Sequence, residues 1–145
     1  MMLKLTIELV PSTAWFDNVR SNIDSFAWNK LKKNIAHKAK YRCAICGGHG
    51  DKWPVECHEI WQYDDQKYLQ KLIGLIALCP ACHAVKHLGH TNIIGKADEA
   101  INHLATINQW SHDEAVNYVN EQFQIWEERS KHNWELDLSW LKNVR

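Results

Sequence analysis

The chain has 145 residues, 46% of them hydrophobic, and a formal net charge of zero. This length and composition predict one folded domain, residues 1–145, and exclude a disordered chain. No apolar run is long enough for a transmembrane helix, and the N-terminus lacks the pattern of a signal peptide. We therefore expect a cytoplasmic protein with no membrane partner, whose cysteines stay reduced and available to metal.

The first half of the chain predicts strands and helices in alternation. Residues 3–9 alternate apolar and polar side chains, as a strand does. Residues 26–40 place apolar side chains on one helical face, with Ser25 as a suitable N-cap. Residues 53–61 predict a short strand, and the polar residues 64–74 predict the start of a helix.

Three more helices are predicted towards the C-terminus. They cover residues 82–88, residues 97–107, and a segment that opens with the capping box formed by Ser111 and Glu114. Residues 134–140 alternate like a final strand, whose natural partner is the N-terminal strand. We expect the aromatic side chains of this region to lie in the core.

Basic side chains are concentrated ahead of the first cysteine pair. Residues 1–50 hold eight Lys/Arg against three Asp/Glu, whereas residues 51–145 hold nine against fourteen. Six basic residues have no acid among them: Lys30, Lys32, Lys33, Lys38, Lys40 and Arg42. Such a patch suits contact with nucleic-acid phosphates, although a charged run is about as often a solvated helix face.

Four of the cysteines form two C-x2-C pairs, Cys43 with Cys46 and Cys79 with Cys82, separated by 32 residues. Thiolates bind zinc well, and two such pairs are typical of a tetrahedral structural site that staples distant parts of a chain. The alternative is two buried or redox-active thiol pairs. Thioredoxin-like redox pairs follow a strand in a βαβ unit, a setting that neither pair has. The spacing predicts a structural Zn²⁺ ion.

Histidines accompany these cysteines. His83 and His87 are four residues apart, so one turn of helix brings both to the same side. Two imidazoles in that arrangement can chelate a second metal ion; alternatively, both are surface polar residues. His58 lies between the cysteine pairs, in the apolar segment WPVECHEIW.

Residues 40–90 resemble the His-Asn-His (HNH, or ββα-metal) nuclease family. ECHEI matches the first segment of the family motif and LIALCPACHAVKH matches the last, with the cysteine pairs as a frame. The resemblance implies an α+β fold with a zinc-stapled, treble-clef-like ββα-metal core. An N-terminal strand and helix, and a C-terminal helical extension over 96–130, would be added to that core.

The resemblance also implies roles for the histidines. His58 is similar to the general base that takes a proton from the attacking water, and His83 and His87 are similar to ligands of the catalytic metal. The implied reaction is hydrolysis of phosphodiester bonds in nucleic acid, in particular DNA, with the basic residues as phosphate contacts. The implied cofactors are Zn²⁺ and a second divalent ion: Mg²⁺, Mn²⁺, Zn²⁺, Ni²⁺ or Co²⁺.

Two positions depart from the family pattern. Cys57 stands where the family usually has a metal-binding Asp or His. As a ligand it would favour zinc, nickel or cobalt over magnesium, and as a core residue it would leave Glu56 or Glu59 as helpers. Gly74 stands at the family's asparagine and offers no side chain. A catalytically impaired, zinc-stabilised nucleic-acid-binding module is therefore the alternative function, and a protein-interaction domain built on C-terminal tryptophans is a third.

Overall fold

In the computed structural model, which describes residues 4–14 and 17–143, the chain folds as an α+β protein. The elements in chain order are α1 (Val19–Asn22), α2 (Ser25–Lys38), β1 (Glu56–Asp64), β2 (Leu69–Leu78), α3 (Pro80–Lys86), α4 (Leu88–Ile93), α5 (Ala97–Asn108), α6 (His112–Arg129), β3 (Glu135–Asp137) and a 3₁₀ helix (Ser139–Asn143). The three strands form one sheet in the order β1-β2-β3. Within the described ranges, no helix is long and apolar enough to cross a membrane.

β1 and β2 form an antiparallel hairpin, and α3 follows it directly. The Asp64 carboxylate accepts the backbone N–H groups of Gln66 and Lys67, each at 3.0 Å, and so closes the turn between the strands. The prediction of a helix starting over 64–74 is therefore wrong. The turn reverses the chain, and the apolar residues that follow pair with β1 instead of forming a helical stripe.

The helix predicted after the second cysteine pair is present, but both of its ends lie earlier than expected. α3 begins at Pro80, with Cys79 as its N-cap, and ends at Lys86. Proline suits this first position because it needs no N–H partner there. His87 is the C-cap, at φ −98° and ψ 46°. Its N–H still donates to the His83 carbonyl at 3.1 Å, so the two histidines remain one turn apart.

The N-terminal segment is extended, but it does not pair as a strand in the described part of the chain. The Asn108 side chain at the end of α5 satisfies its backbone instead, since Oδ1 accepts the Leu5 N–H at 3.0 Å and Nδ2 donates to the Leu5 carbonyl at 2.7 Å. The prediction of a strand over 3–9 is therefore wrong for the described residues, and Leu3 lies outside them. The side-chain amide of Asn108 makes the hydrogen bonds to the Leu5 backbone that a neighbouring strand would otherwise make.

β3 pairs with β2, in parallel, through three residues. Its predicted partner, the N-terminal segment, instead runs beside the end of α3, where the Glu8 N–H donates to the Lys86 carbonyl at 2.9 Å. Trp134 Nε1 donates to the Arg129 carbonyl at 2.7 Å and helps to turn the chain from α6 towards the sheet. Of the predicted strand over 134–140, only Glu135–Asp137 is a strand, and the 3₁₀ helix begins at Ser139.

The other helical predictions agree with the structure. α2 covers most of 26–40, with Asp24 instead of Ser25 as the N-cap. α5 matches the predicted 97–107 to within one residue at its end. α6 opens with both hydrogen bonds of the predicted capping box. These signals are local in the chain, which is why the sequence carries them reliably.

Two apolar clusters hold the hairpin between the helices. The first joins the N-terminal segment to β2, α3, α5 and α6, with Leu5, Leu78, Val85, Leu104 and Val119 among its buried members. The second joins β1 and β2 to α1 and α2, with Val19, Trp28, Trp61 and Leu72 buried. The C-terminal tryptophans are buried or half-buried, as predicted: Trp110, Trp126, Trp134 and Trp140.

Candidate functional site

The four cysteines of the two pairs converge beside the hairpin. Cys43 and Cys46 lie in the turns after α2, and Cys79 and Cys82 lie at the start of α3. One sulfur from each lies within 4.8 Å of the others. All are unpaired thiols. The cluster is compatible with a tetrahedral zinc ion, in line with the prediction from spacing.

Backbone N–H groups surround three of the four sulfurs. The Cys43 sulfur accepts from Ile45 and Cys46 at 3.4 and 3.5 Å. The Cys46 sulfur accepts from Gly48, and the Cys79 sulfur from the Cys82 N–H, each at 3.4 Å. Such donors stabilise the negatively charged thiolate, which is the form of cysteine that binds metal. The fourth sulfur, that of Cys82, lies 3.2 Å from Nε2 of His103 on α5.

The surroundings of the thiols shift the pKa values of Cys43 and Cys82 in opposite directions. Burial alone would raise the pKa of Cys43, but the hydrogen bonds of neighbouring backbone N–H groups outweigh it and lower this pKa to about 7. Burial and the adjacent cysteines raise the pKa of Cys82 well above its ordinary value. Several thiolates crowded together repel one another, and a divalent ion at their centre removes that cost.

A second cluster consists of His58, His83 and His87, and one ring nitrogen from each lies within 4.8 Å of the other two. The ring centroids are 5.3 Å apart for His58 and His83, 5.0 Å for His58 and His87, and 4.7 Å for His83 and His87. β1 positions the first imidazole, and α3 with its C-cap positions the other two. The structure therefore brings together all three histidines that the sequence singled out.

Two carboxylates each contact one ring nitrogen of this cluster. Glu8 contacts His58 Nε2, and Glu56 Oε1 lies 3.2 Å from His83 Nδ1. His58 Nδ1 is buried and has no hydrogen-bond partner among the described residues. Carboxylates that hold the far nitrogen of an imidazole are the usual outer partners of metal-binding histidines.

Glu8 was missed by the sequence analysis. Its signal is an acid placed inside the otherwise apolar run LTIEL. That signal is weak, because an alternating strand also carries acids on its solvent face. Glu8 belongs to the site because it contacts His58, which lies fifty positions away in the chain. No local sequence pattern reports such a contact.

The surroundings of His83 and His87 favour the neutral form of these two rings. Burial of its ring lowers the pKa of His87 to about 3, although the residue also reaches solvent, and the neighbouring histidines act in the same direction. Burial also lowers the pKa of His83, with Glu56 opposing it. Neutral imidazole is the form that binds metal, so these side chains are ready ligands at neutral pH.

Cys57 lies apart from both clusters. It precedes His58 on β1, and consecutive strand residues point to opposite faces. Cys57 packs against the second apolar cluster, and burial, followed by the charge of Glu59, raises the pKa of its thiol to about 12. Glu59 accepts the Val19 N–H at 2.8 Å. Of the sequence's two readings of Cys57, the structure favours the core residue, and Glu56 is the carboxylate beside the histidines.

Gly74 lies within β2, opposite Ile60, where the strand pairing shifts by one residue. A Cβ at position 74 would lie 3.5 Å from Ile60 Cδ1, an ordinary contact, so a side chain could be accommodated. The position belongs to a strand and not to a loop. A side chain that contacts His58 comes from Glu8, at Nε2, and not from position 74.

The six predicted phosphate-binding residues are all exposed. Lys30, Lys32, Lys33 and Lys38 lie on α2, and Lys40 and Arg42 lie in the turn that leads to Cys43. Lys32 Nζ lies 5.8 Å from the centre of the Trp28 ring. The basic residues are therefore exposed side chains of α2 and of the turn that leads to the cysteine cluster.

Comparison with protein-family models, curated proteins and solved structures finds no significant match to this chain.

Proposed function

We propose that this protein is a metal-dependent endonuclease of the HNH type that hydrolyses phosphodiester bonds in DNA. The observation that carries the proposal is the convergence of three histidines with two carboxylates behind them, next to a four-cysteine cluster. His58 is buried, and its Nδ1 atom has no hydrogen-bond partner among the described residues. A buried polar atom without a partner is uncommon in a side chain that has only a structural role.

The donor set fits a divalent ion. Glu8 occupies His58 Nε2 and leaves Nδ1 free, and Glu56 occupies His83 Nδ1 and leaves Nε2 free. His87 adds a second imidazole ligand beside His83, and His58 Nδ1 is open either to the ion as a third ligand or to the proton of the attacking water. Such a set favours Zn²⁺, Ni²⁺ or Co²⁺ over Mg²⁺, which prefers oxygen ligands. An ion held there would polarise a phosphate oxygen and stabilise the leaving oxygen.

The chain's own residues would supply orientation and proton transfer. His83 and His87 would hold the ion on α3, and the backbone hydrogen bond between them keeps their spacing. His58 would accept the proton of the attacking water at Nδ1, the free nitrogen, while Glu8 holds the ring by the other. The exposed lysines of α2 would contact the DNA backbone.

A plasmid-cleavage assay with added divalent metal tests the proposal. We expect His58→Ala and His83→Ala each to lower the cleavage rate about 100-fold or more, the usual contribution of general-base or metal catalysis. His112→Ala, an exposed histidine at the start of α6, is the matched control and should keep full activity. Cleavage that persists in His58→Ala would falsify its role in the reaction.

Metal analysis of the same variants separates the two roles open to His58 Nδ1, because one nitrogen cannot hold an ion and take a proton at once. His58→Ala protein that keeps two ions per chain but does not cleave supports the general base. Protein that loses the second ion makes His58 the third ligand.

The second candidate function is a zinc-stabilised nucleic-acid-binding module without cleavage. The placement of Cys57 in the apolar cluster favours it, because this removes a ligand that the family usually has there. The module predicts salt-dependent DNA binding that is unaffected when the second metal is chelated. Alanine at Lys32, Lys33 and Lys38 should weaken this binding, and alanine at Lys67, Lys96 and Lys142 is the matched control. Equal binding by both triple variants would exclude the basic segment as the contact surface.

A further inference from the structure

The four sulfurs of the cysteine cluster do not share the same surroundings. Cys43, Cys46 and Cys79 each accept at least one backbone N–H from the turns that carry the C-x2-C pairs. Within the described residues, the sulfur of Cys82 accepts none. Its polar neighbour is a side chain from another helix, since His103 Nε2 lies 3.2 Å away.

We propose that His103 belongs to the zinc centre, where its Nε2–H donates a hydrogen bond to the Cys82 thiolate and supplies the donor that the backbone does not. A zinc ion with four thiolates carries a net charge of −2, and hydrogen bonds to the sulfurs offset that charge. Cys82 has the greater need, because it is fully buried. The role is that of a positioning residue: His103 acts on the metal through Cys82.

The packing of α5 supports this assignment. Ala100 lies one helical turn before His103, and Leu104 directly follows it. Both are buried in the same cluster as Cys82 and Val85 of α3. α5 therefore packs against α3 next to the Cys82 sulfur. His103 itself is half-buried, whereas its neighbour Asn102 is exposed. A surface histidine would be free to turn to solvent, but this one lies against a thiol.

The consequence concerns the C-terminal helical extension, for which the sequence offered no motif. Through His103, α5 becomes part of the structural metal site as well as part of the core. The inference is independent of the proposed nuclease activity, because it depends only on the four-cysteine cluster.

The test measures zinc affinity in the folded protein by competition with a chromophoric chelator. We expect His103→Ala to weaken zinc binding about tenfold or more, as is typical when an outer partner of a metal ligand is removed. His103→Gln keeps an N–H donor on a side chain of similar length and should recover most of the loss. Asn102→Ala, on the same helix and exposed, should bind zinc like the wild type.

A second readout follows the sulfur directly. Co²⁺ in place of zinc gives a sulfur-to-metal charge-transfer band, which should move to lower energy in His103→Ala because a thiolate without its donor is more electron-rich. The intensity of this band reports how many thiolates bind the ion, and the visible d–d bands of Co²⁺ report tetrahedral geometry, so a misfolded variant is recognised.

Three outcomes would overturn the proposal. Equal zinc affinity and an unshifted band in His103→Ala would mean that the contact has no effect on the centre. Weakened affinity that His103→Gln does not recover, with an unshifted band, would assign the loss to packing. A wild-type Co²⁺ spectrum of three sulfurs and one nitrogen would place His103 inside the metal shell instead of behind it.

Discussion

Glu8 contacts the Nε2 atom of His58, although fifty residues separate them in the chain. The carboxylate comes from an extended segment that lies outside the strand–strand–helix unit and is held to the end of α3 by its own backbone. Its second oxygen accepts the Trp61 N–H at 3.3 Å. The N-terminal segment therefore contacts the histidine cluster directly, and it leaves Nδ1 as the His58 nitrogen without a hydrogen-bond partner among the described residues.

Replacement of Glu8 tests that contribution. We expect Glu8→Ala to weaken binding of the second divalent ion 10- to 100-fold, because the imidazole loses the partner that orients it. Calorimetric titration of Zn²⁺ or Co²⁺ into protein that already holds its structural zinc measures the change. Glu121→Ala, an exposed acid on α6, is the control. Unchanged affinity in Glu8→Ala would show that the contact does not support a metal site.

Substitution of Cys46, in the four-cysteine cluster, and of Cys57, in the apolar cluster, should change zinc content and stability to different extents. Cys46→Ala should lower the zinc content from about one structural ion per chain to well below half, and should lower the free energy of unfolding by more than about 4 kcal/mol. Cys57→Ala should keep the zinc and lose only about 1 kcal/mol, since it removes a packed side chain and no ligand. Elemental analysis and urea denaturation measure both. Zinc loss in Cys57→Ala would contradict the separation of this residue from the cysteine cluster.

Glu59 makes stability depend on pH. Burial raises the pKa of this carboxyl above its ordinary value of 4.5, against the opposing hydrogen bond from Val19. The folded state therefore prefers the neutral acid. This contribution to stability is full below about pH 4.5 and is lost as pH rises through the folded-state pKa.

Glu59→Gln should accordingly raise the free energy of unfolding at pH 7, and the gain should shrink as pH falls to 4.5. Urea denaturation at the two pH values, after chelation of any weakly bound metal, measures the difference. Glu135→Gln on β3, where the acid is exposed, should change stability at neither pH. A gain that grows as pH falls would reverse the assigned sign.

Asn108 anchors the segment that carries Glu8. Its Oδ1 accepts the N–H groups of Lys4 and Leu5, and its Nδ2 donates to the Leu5 carbonyl. Asn108→Ala leaves these groups without partners, and should cost about 2–3 kcal/mol. Hydrogen exchange should accelerate at the amides of residues 5–9, which Asn102→Ala should leave slow. Retained protection in Asn108→Ala would show that packing alone holds the segment.

The local features of this protein follow from its sequence. The spacing of the cysteines brings each pair into one turn, and the cluster forms as that spacing predicts. The capping box at Ser111 and the periodicity of α5 are equally local, since their partners lie within a few residues. The spacing of His83 and His87 likewise indicated that the two would share one side of α3.

Features that depend on distant partners were decided only by the tertiary structure. The apolar residues of β2 suit either a helix or a strand, and pairing with β1 selects the strand. The N-terminal segment alternates like a strand, but its backbone at Leu5 is hydrogen-bonded by the Asn108 side chain and not by a neighbouring strand. Glu8 and His103 acquire their partners through the packing of separate elements on the hairpin and α3. Local patterns report hydrogen bonds and periodicity within a few residues, whereas these contacts exist only once the core has brought remote segments together.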